Sequence, residues 1–226
     1  AIGRSWGQGA QHSQAFHSYF MHVPGIKVVA PTNPHDAKGC LISSIRDNNP
    51  VIFVEHRMLY SNKGFVPKDL YEVEFGKGRV LVEGTDITLI GVSYTVTDCI
   101  RAAIALKEIG ISAEVIDPVS LSPIDYEILR KSANKTKKVL VVDNGWLTCG
   151  FSSEVVADLG INCSNILLDR MGYLESPCPT TRVLEDGFYP EPESVAIKAN
   201  HMCGGDKNWK PGKILREEIN SFKGPF

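Results

Sequence analysis

Short apolar runs alternate along this chain with segments of helical periodicity, and this alternation restricts the fold more than any other feature. Four runs, at 26–30, 51–55, 113–116 and 138–143, are rich in valine and isoleucine and are typical of buried strands. Between them lie segments in which apolar residues recur every three or four positions. Strands that alternate with helices predict a mainly parallel sheet with helices on both faces, so the predicted fold class is α/β.

Helix-start and helix-stop residues agree with this pattern. Asn33 is a favoured capping residue, and Pro34 suits the first position of a helix. A helix is therefore predicted from there to about Arg46. Another is predicted over 94–109, because apolar residues follow one face and Gly110 closes it.

The segment 11–22 is predicted to be a single helix. Its aromatic residues fall at helical spacing and are expected to form the buried face: Phe16, Tyr19 and Phe20. His17 and His22 follow His12 in steps of five residues, or about 500° of helical rotation, so the three cannot share a metal. Both are interpreted as ordinary helix residues. The other histidines are interpreted as surface or turn residues: His35, His56 and His201.

Later in the chain, the strands Arg79–Val82 and Ile87–Gly91 flank a polar turn and are predicted to form a hairpin. Ser122-Pro123 is expected to open a helix, and a short strand is expected at 165–168. Residues 60–76 lose the periodicity of the segments around them. We therefore predict a division into a first α/β unit, a linker, a second α/β unit and a tail, with bounds at 1–60, 61–75, 76–200 and 201–226. A short helix over 213–222 is predicted in the tail.

Composition excludes several classes of function. The net charge is -2 and the pI is near 6.3, which gives no basic surface for nucleic acid. No apolar run approaches the length of a membrane span, and no signal segment opens the chain. The expected compartment is the cytoplasm, or the mitochondrial matrix in a eukaryote. Six cysteines include no C-x-x-C pair, so no zinc site is indicated. The start at Ala1 suggests a fragment or a processed chain.

Several stretches carry a resemblance to a known family. They are GAQHSQ at 9–14, VPGIKVVAPTNPHDAKG at 23–39, SSIRDNNPVIFVE at 43–55 and LLDRMGYLESPCPTTRVLED at 167–186. In order and spacing the chain resembles the C-terminal two-thirds of β subunits of thiamine-diphosphate-dependent 2-oxo acid dehydrogenases, the pyruvate and branched-chain enzymes. This transketolase-like family implies the end of a pyrimidine-binding domain followed by a transketolase C-terminal domain.

The resemblance implies a subunit that supports oxidative decarboxylation of a 2-oxo acid and acyl transfer to lipoamide. Its cofactor would be thiamine diphosphate with Mg²⁺, anchored mainly by upstream residues and by an α subunit, so the chain alone is expected to be inactive. The implied partners are the α subunit in an α2β2 heterotetramer, a lipoyl acyltransferase core, and a second β subunit through the C-terminal domain. A transketolase-like carboligase subunit and a non-catalytic assembly module remain alternatives.

His12 is the main catalytic candidate. Thiamine diphosphate chemistry moves protons at each step, and an imidazole that titrates near neutrality suits this work. By resemblance, His12 faces the reactive carbon of the cofactor and assists acyl transfer to the lipoyl group. The alternative is a histidine that only makes a hydrogen bond.

Two further sites follow from the resemblance. A potassium site is implied by position, and its ligands would be Ser44, Ile45, Asp47 and Asn49. The unpaired carbonyls at a helix end suit a monovalent cation, although a plain helix cap is the alternative. Asp169, expected to follow a strand, would dock the subunit onto the acyltransferase core, or serve as a turn or cap residue. Trp146 is interpreted either as a core anchor or as an interface contact.

Overall fold

The computed structural model describes residues 1–4 and 7–214. In these residues the strands are β1 Lys27–Val29, β2 Val51–Phe53, β3 Arg79–Val82, β4 Ile87–Gly91, β5 Ala113–Asp117, β6 Ser120–Ser122, β7 Lys138–Trp146 and β8 Leu167–Tyr173. The helices are α1 Gly9–His12, α2 His17–Met21, α3 Pro34–Arg46, α4 Tyr94–Glu108, α5 Tyr126–Thr136, α6 Phe151–Asn162, α7 Arg182–Asp186 and α8 Pro192–Met202. A 3-10 turn spans Arg57–Leu59. The predicted α/β class is therefore confirmed.

The larger sheet has the order β3-β5-β4-β7-β8, with every neighbouring pair parallel except β3 and β5. Its central strands are buried on both faces because successive residues point to opposite sides. Leu89 and Leu140 pack in the cluster that includes α4 and α8. Ile90 and Val141 pack in the cluster that includes α5 and α6. The sheet is thus covered by helices on both sides.

The predicted hairpin of β3 and β4 is wrong, because β5 lies between them. β3 pairs with β5 in the antiparallel sense, whereas β4 pairs in parallel with β5 and β7. Every residue of β4 is buried, while β3 is only partly buried. A wholly buried strand gains most in the centre of a sheet covered on both faces, and the half-exposed strand takes the edge.

Ser122-Pro123 does not open a helix. Ser120–Ser122 is a strand that pairs antiparallel with β1 in the smaller sheet, whose order is β2-β1-β6. The following helix begins at Tyr126, after Asp125 caps it by accepting a hydrogen bond from the Ile128 amide at 3.3 Å. A strand from the second half of the chain thus completes the sheet of the first half.

The single helix predicted over 11–22 is also wrong, because residues 13–16 separate α1 from α2. The residues expected on its buried face are partly or largely exposed: Phe16, Tyr19 and Phe20. His17 is buried in their place. The strand predicted at 165–168 begins at Leu167 and continues to Tyr173, and α7 and α8 had no predicted counterpart. The helix predicted over 213–222 lies outside the described residues apart from its first two positions.

Among residues 1–4 and 7–214, no helix combines the length and apolar character needed to cross a membrane.

Candidate functional site

His12 lies at the end of α1 with its side chain exposed. The backbone beside it is held in place. Arg57 donates through Nη1 to the carbonyl oxygen of His12, and the Tyr189 hydroxyl donates to the carbonyl of the buried Ser13 at 3.4 Å. Within the described part of the chain, no group hydrogen-bonds the His12 imidazole. An exposed imidazole therefore extends from a turn whose backbone is anchored.

The turn that carries His12 is seated against the second half of the chain. Gly9 begins α1 with a φ of +62°, and a Cβ atom there would lie 2.7 Å from Cγ2 of Thr180. Glycine is required at this position by both the backbone conformation and the close contact. Because Thr180 precedes α7, the two halves of the chain together shape the surroundings of His12.

Arg4 joins the same two regions. Its guanidinium lies 2.7 Å from Oδ1 of Asp186 and 3.0 Å from Oε1 of Glu191, over the ring of Tyr189. Burial by itself lowers the pKa of Arg4, but the charges of Glu191 and Asp186 outweigh burial, and the pKa lies above its usual value. The N-terminal segment is thus fixed to the α7–α8 region by a buried cation.

The interpretation of His17 as an ordinary helix residue is wrong. It is buried, and its Nε2 atom lies 3.1 Å from Oδ1 of Asp143, near the end of β7. The other carboxylate oxygen accepts a hydrogen bond from the Ser152 amide at 2.8 Å, in the first turn of α6. This contact links α2 to the carboxyl edge of the large sheet. The two residues are 126 positions apart, so no local signal could have revealed the pair.

His56 caps the 3-10 turn and is buried, so of the two predicted interpretations, surface or turn residue, the surface one is wrong. Its ring stacks on Tyr94 with centroids 4.8 Å apart, and Nδ1 accepts a hydrogen bond from the Met58 amide at 3.2 Å. Burial, with smaller contributions from the charges of Arg57 and Arg4, lowers the pKa of His56 to about 3. The ring is therefore neutral at physiological pH.

The residues of the predicted potassium site gather at the C-terminal end of α3. Ser44 and Ile45 occupy its last turn, and the Ser44 hydroxyl donates to the Cys40 carbonyl at 2.7 Å. Asp47 is bound by the Lys27 ammonium and accepts from the Asn49 backbone and side chain at 2.8 and 3.0 Å. These hydrogen bonds lower the pKa of Asp47 to about 2. The Asp47 carboxylate is thus already paired with Lys27 and Asn49.

Over residues 1–4 and 7–214, no group of three or more His, Cys, Asp or Glu side chains could hold a metal ion.

Asp169 lies within β8, an edge strand of the large sheet, and not after a strand as predicted. Its Oδ2 atom is 2.8 Å from the Lys198 ammonium, and Oδ1 accepts from the Arg170 amide at 2.7 Å. The side chain is 44% exposed, so it remains reachable by a partner. The three predicted sites therefore lie on different elements, α1, the end of α3, and β8.

Trp146 packs against Tyr173 and Phe16, and its indole N–H donates to the Ser176 carbonyl at 3.3 Å. Beside it lies a cleft of about 400 Å³ that also borders the turn of His12. Its lining includes Ala10, Gln14, Trp146, Thr148, Glu175 and Ser176.

Two known families match this chain. The family described as "Transketolase, C-terminal domain" matches residues 76–195, and "Transketolase, pyrimidine binding domain" matches residues 5–63. The first match alone covers more than half of the 226 residues. The chain belongs to the transketolase C-terminal domain family. The fold predicted from the sequence, the end of a pyrimidine-binding domain followed by this domain, is confirmed.

Relatives within this family include β subunits of two kinds of enzyme. "Acetoin:2,6-dichlorophenolindophenol oxidoreductase subunit beta" of Bacillus subtilis is 39% identical over 205 residues, which cover 89% of this chain and 60% of that protein. "Pyruvate dehydrogenase E1 component subunit beta, mitochondrial" of Mus musculus is 36% identical over 201 residues, covering 85% and 56%. The resemblance to these β subunits is confirmed. The chain spans about 60% of the length of such relatives.

Solved structures show the same transketolase-type fold. A split-gene transketolase described as an inactive beta4 tetramer superposes with a TM-score of 0.76 at 23% identity, covering 90% of this chain and 65% of that one. A transketolase variant from Pichia stipitis gives a TM-score of 0.61 at 18% identity, covering 96% and 31%. At these identities the likeness concerns the fold alone.

Proposed function

We propose that this chain is a β-type subunit, or a fragment of one, in the first component of a thiamine-diphosphate-dependent 2-oxo acid dehydrogenase. The observation that carries the proposal is His12, an exposed imidazole on an anchored turn within GAQHSQ. Identities of 34–39% to β subunits support it. The compartment that we propose is the cytoplasm, or the mitochondrial matrix in a eukaryote.

The described residues fit thiamine diphosphate in one respect. The His12 imidazole is exposed, which leaves it accessible to a cofactor held largely by another subunit. Mg²⁺ and the diphosphate are accordingly assigned to the α subunit of an α2β2 heterotetramer. We further assign residues 1–60 and 76–200 to the two domains, 61–75 to the linker and 201–226 to the tail.

When bound, thiamine diphosphate supplies the nucleophilic carbon that allows a 2-oxo acid to lose carbon dioxide. The role of His12 is to give and take protons at a ring nitrogen as charge develops on the substrate oxygen and on the acceptor. The anchored backbone holds the point from which the imidazole extends. The acceptor proposed is a lipoyl group carried by the acyltransferase core.

Acetoin-type chemistry is the second candidate, and the relatives named as acetoin oxidoreductase subunits favour it. Acetoin is a 2-hydroxyketone, so its cleavage releases an aldehyde where a 2-oxo acid releases carbon dioxide. The chain should therefore be reconstituted with its α subunit and supplied with pyruvate, a branched-chain 2-oxo acid or acetoin, with either a lipoyl domain or an aldose as acceptor. Carbon dioxide supports the proposal, acetaldehyde supports the second candidate, and transfer to an aldose would indicate a carboligase.

A potassium site at the end of α3 makes a testable prediction. Potassium at about ten times its Kd should raise the free energy of unfolding by about 1.4 kcal/mol, because it binds only the folded chain. Ser44→Ala should keep this response, since the hydroxyl is bonded within the helix. Asp47→Ala should lose it, since Asp47 holds the turn to Asn49 together. Thermal melts in KCl and NaCl of equal strength make the measurement, and equal responses to both salts would contradict a potassium site.

Docking through Asp169 is the next prediction. Asp169→Ala should weaken binding to the subunit-binding part of the acyltransferase core by about 1 kcal/mol. The effect is small because an exposed carboxylate that already pairs with Lys198 gains little from another cation. It should appear mainly in the association rate and fade at high salt.

Lys198→Ala separates docking from local stabilisation. If Asp169 docks, this variant should bind the core at least as well as the wild type, because the carboxylate is released from its ion pair. If the pair is only structural, both variants lower the melting temperature and leave binding unchanged. Surface plasmon resonance and a thermal melt on the same samples distinguish the two results.

A further inference from the structure

The guanidinium of Arg57 lies between two segments near the start of the chain. Its Nη1 atom donates to the carbonyl of His12 and lies 3.5 Å from the carbonyl of Gly3. The Gly3 amide in turn donates to the carbonyl of Gln14 at 3.1 Å. One nitrogen of Arg57 thus contacts the carbonyls of both His12 and Gly3, and Gly3 is itself bonded to the same turn at Gln14.

The carbonyl of His12 needs an external donor. His12 is the last residue of α1, and the final carbonyls of a helix have no partner within the helix. α1 is only four residues long, and its N-cap Gln8 makes no side-chain cap, so the helix has little stability of its own. A hydrogen bond from a guanidinium is stronger than one from a neutral group. Arg57 therefore supplies the hydrogen-bond donor that the His12 carbonyl lacks within α1.

The backbone of Arg57 is itself held in place by hydrogen bonding and packing. It opens the 3-10 turn Arg57–Leu59, which is capped by Nδ1 of the buried His56. The stacking of His56 on Tyr94 ties this turn to the start of α4. Because the pKa of His56 is lowered, mainly by burial, its ring stays neutral and Nδ1 remains an acceptor. The contacts run without a break from α4 to the His12 carbonyl.

We propose that Arg57 is a positioning residue for His12. The imidazole has no hydrogen bond of its own in the described residues, and two side-chain torsions join it to the backbone. The backbone sets the direction of the Cα–Cβ bond and so limits the region that the ring nitrogens can reach. By holding the His12 carbonyl, Arg57 keeps this region in one place. The catalytic consequence rests on the proposed function, whereas the anchoring itself does not.

Hydrogen exchange on the full chain tests the anchoring. In Arg57→Ala, amides of residues 9–16 should exchange about tenfold faster, because a charged hydrogen bond has been removed. Arg57→Lys should recover part of the protection. Arg130→Ala serves as the control, since this half-exposed arginine on α5 pairs with Asp158 on α6 and is not one of the contacts described for the turn of His12. Wild-type exchange in Arg57→Ala, or an equal rise in the control, would overturn the proposal. If Arg57→Ala does not fold, Arg57→Gln takes its place in the comparison.

Turnover of the enzyme reconstituted with its α subunit tests the catalytic consequence. Arg57→Ala should lower kcat about tenfold with little change in KM, and Arg57→Lys should restore most of it. Faster exchange with unchanged kcat would overturn the positioning role. If His12→Ala leaves turnover intact, the proposed function fails, while hydrogen exchange still decides whether Arg57 anchors the turn.

Discussion

Replacing His12 by alanine is expected to lower turnover of the reconstituted enzyme about 10²- to 10⁴-fold, the usual loss for a general acid–base group. The melting temperature should stay the same, because the exposed imidazole makes no hydrogen bond with the described residues. Transfer of the acyl group to a lipoyl domain is the activity to measure, beside a thermal melt. If His12 acts only as the reaction proceeds, kcat and kcat/KM should fall together.

His22 provides the matched control for this experiment. It is an exposed histidine ten positions further on, at the C-cap of α2. His22→Ala removes the same ring from the same surface segment and should leave turnover at the wild-type level. Near wild-type transfer in His12→Ala would exclude His12 from the mechanism. Equal losses in both variants would point to the segment and not to the imidazole.

Local signals in the sequence were sufficient for elements whose ends are defined by neighbouring residues. The capping of α3 is an example, since the Asn33 side chain accepts a hydrogen bond from the Asp36 amide at 2.9 Å as its residue type predicts. The buried central strands are another, because valine-rich runs leave few alternatives to a covered sheet. The motif around His12 was likewise visible, since it is a contiguous run of six residues.

The predictions that failed depended on partners far along the chain. The burial of His17 follows from Asp143, and that of His56 from its stacking on Tyr94. The failed hairpin required knowledge that β5 inserts between β3 and β4. In each case the periodicity of a segment shows that it has a buried face, but not which distant element covers that face.

The carboxyl edge of the large sheet shows how these distant contacts combine. Ligands of open α/β sheets commonly bind at this edge. Here the first half of the chain covers it: His17 binds Asp143 at the end of β7, and the Thr32 hydroxyl donates to the Ser93 carbonyl after β4 at 3.3 Å. Charged groups that would otherwise meet solvent or a ligand are therefore enclosed between the two halves. Asp117, at the end of β5, is the one with the clearest consequence for stability.

Asp117 is 1% exposed, and its Oδ1 atom accepts a hydrogen bond from the Val119 amide at 2.9 Å. Burial raises the pKa of Asp117 to about 6, with a further increase from the charge of Asp36, although the hydrogen bond from the Val119 amide acts in the opposite direction. Ionising this group at neutral pH therefore costs the folded state free energy. A rise of about two pKa units corresponds to about 3 kcal/mol.

Asp117→Asn is accordingly expected to stabilise the fold by up to about 3 kcal/mol at pH 8, since an amide keeps the acceptor for Val119 without the charge. The pKa of the folded state lies above the ordinary value of 3.8, so the folded chain binds this proton more tightly than the unfolded chain. The stability that wild-type Asp117 contributes is thus present below pH 4 and is lost as the pH rises through 6. The advantage of the variant should grow over the same window.

The difference between the variant and the wild type is the quantity to measure, because His56 acts in the opposite sense. The pKa of His56 is lowered to about 3, so its contribution to stability is lost as the pH falls below 6.5 and partly masks that of Asp117 in either curve alone. Subtracting the stability curve of the wild type from that of the variant removes the contribution of His56, which both proteins share. Asp69→Asn, at an exposed position, should give a flat difference. Denaturant unfolding from pH 4 to 8 makes the comparison, and a flat difference for Asp117→Asn as well would show that Asp117 is ionised in the fold without cost.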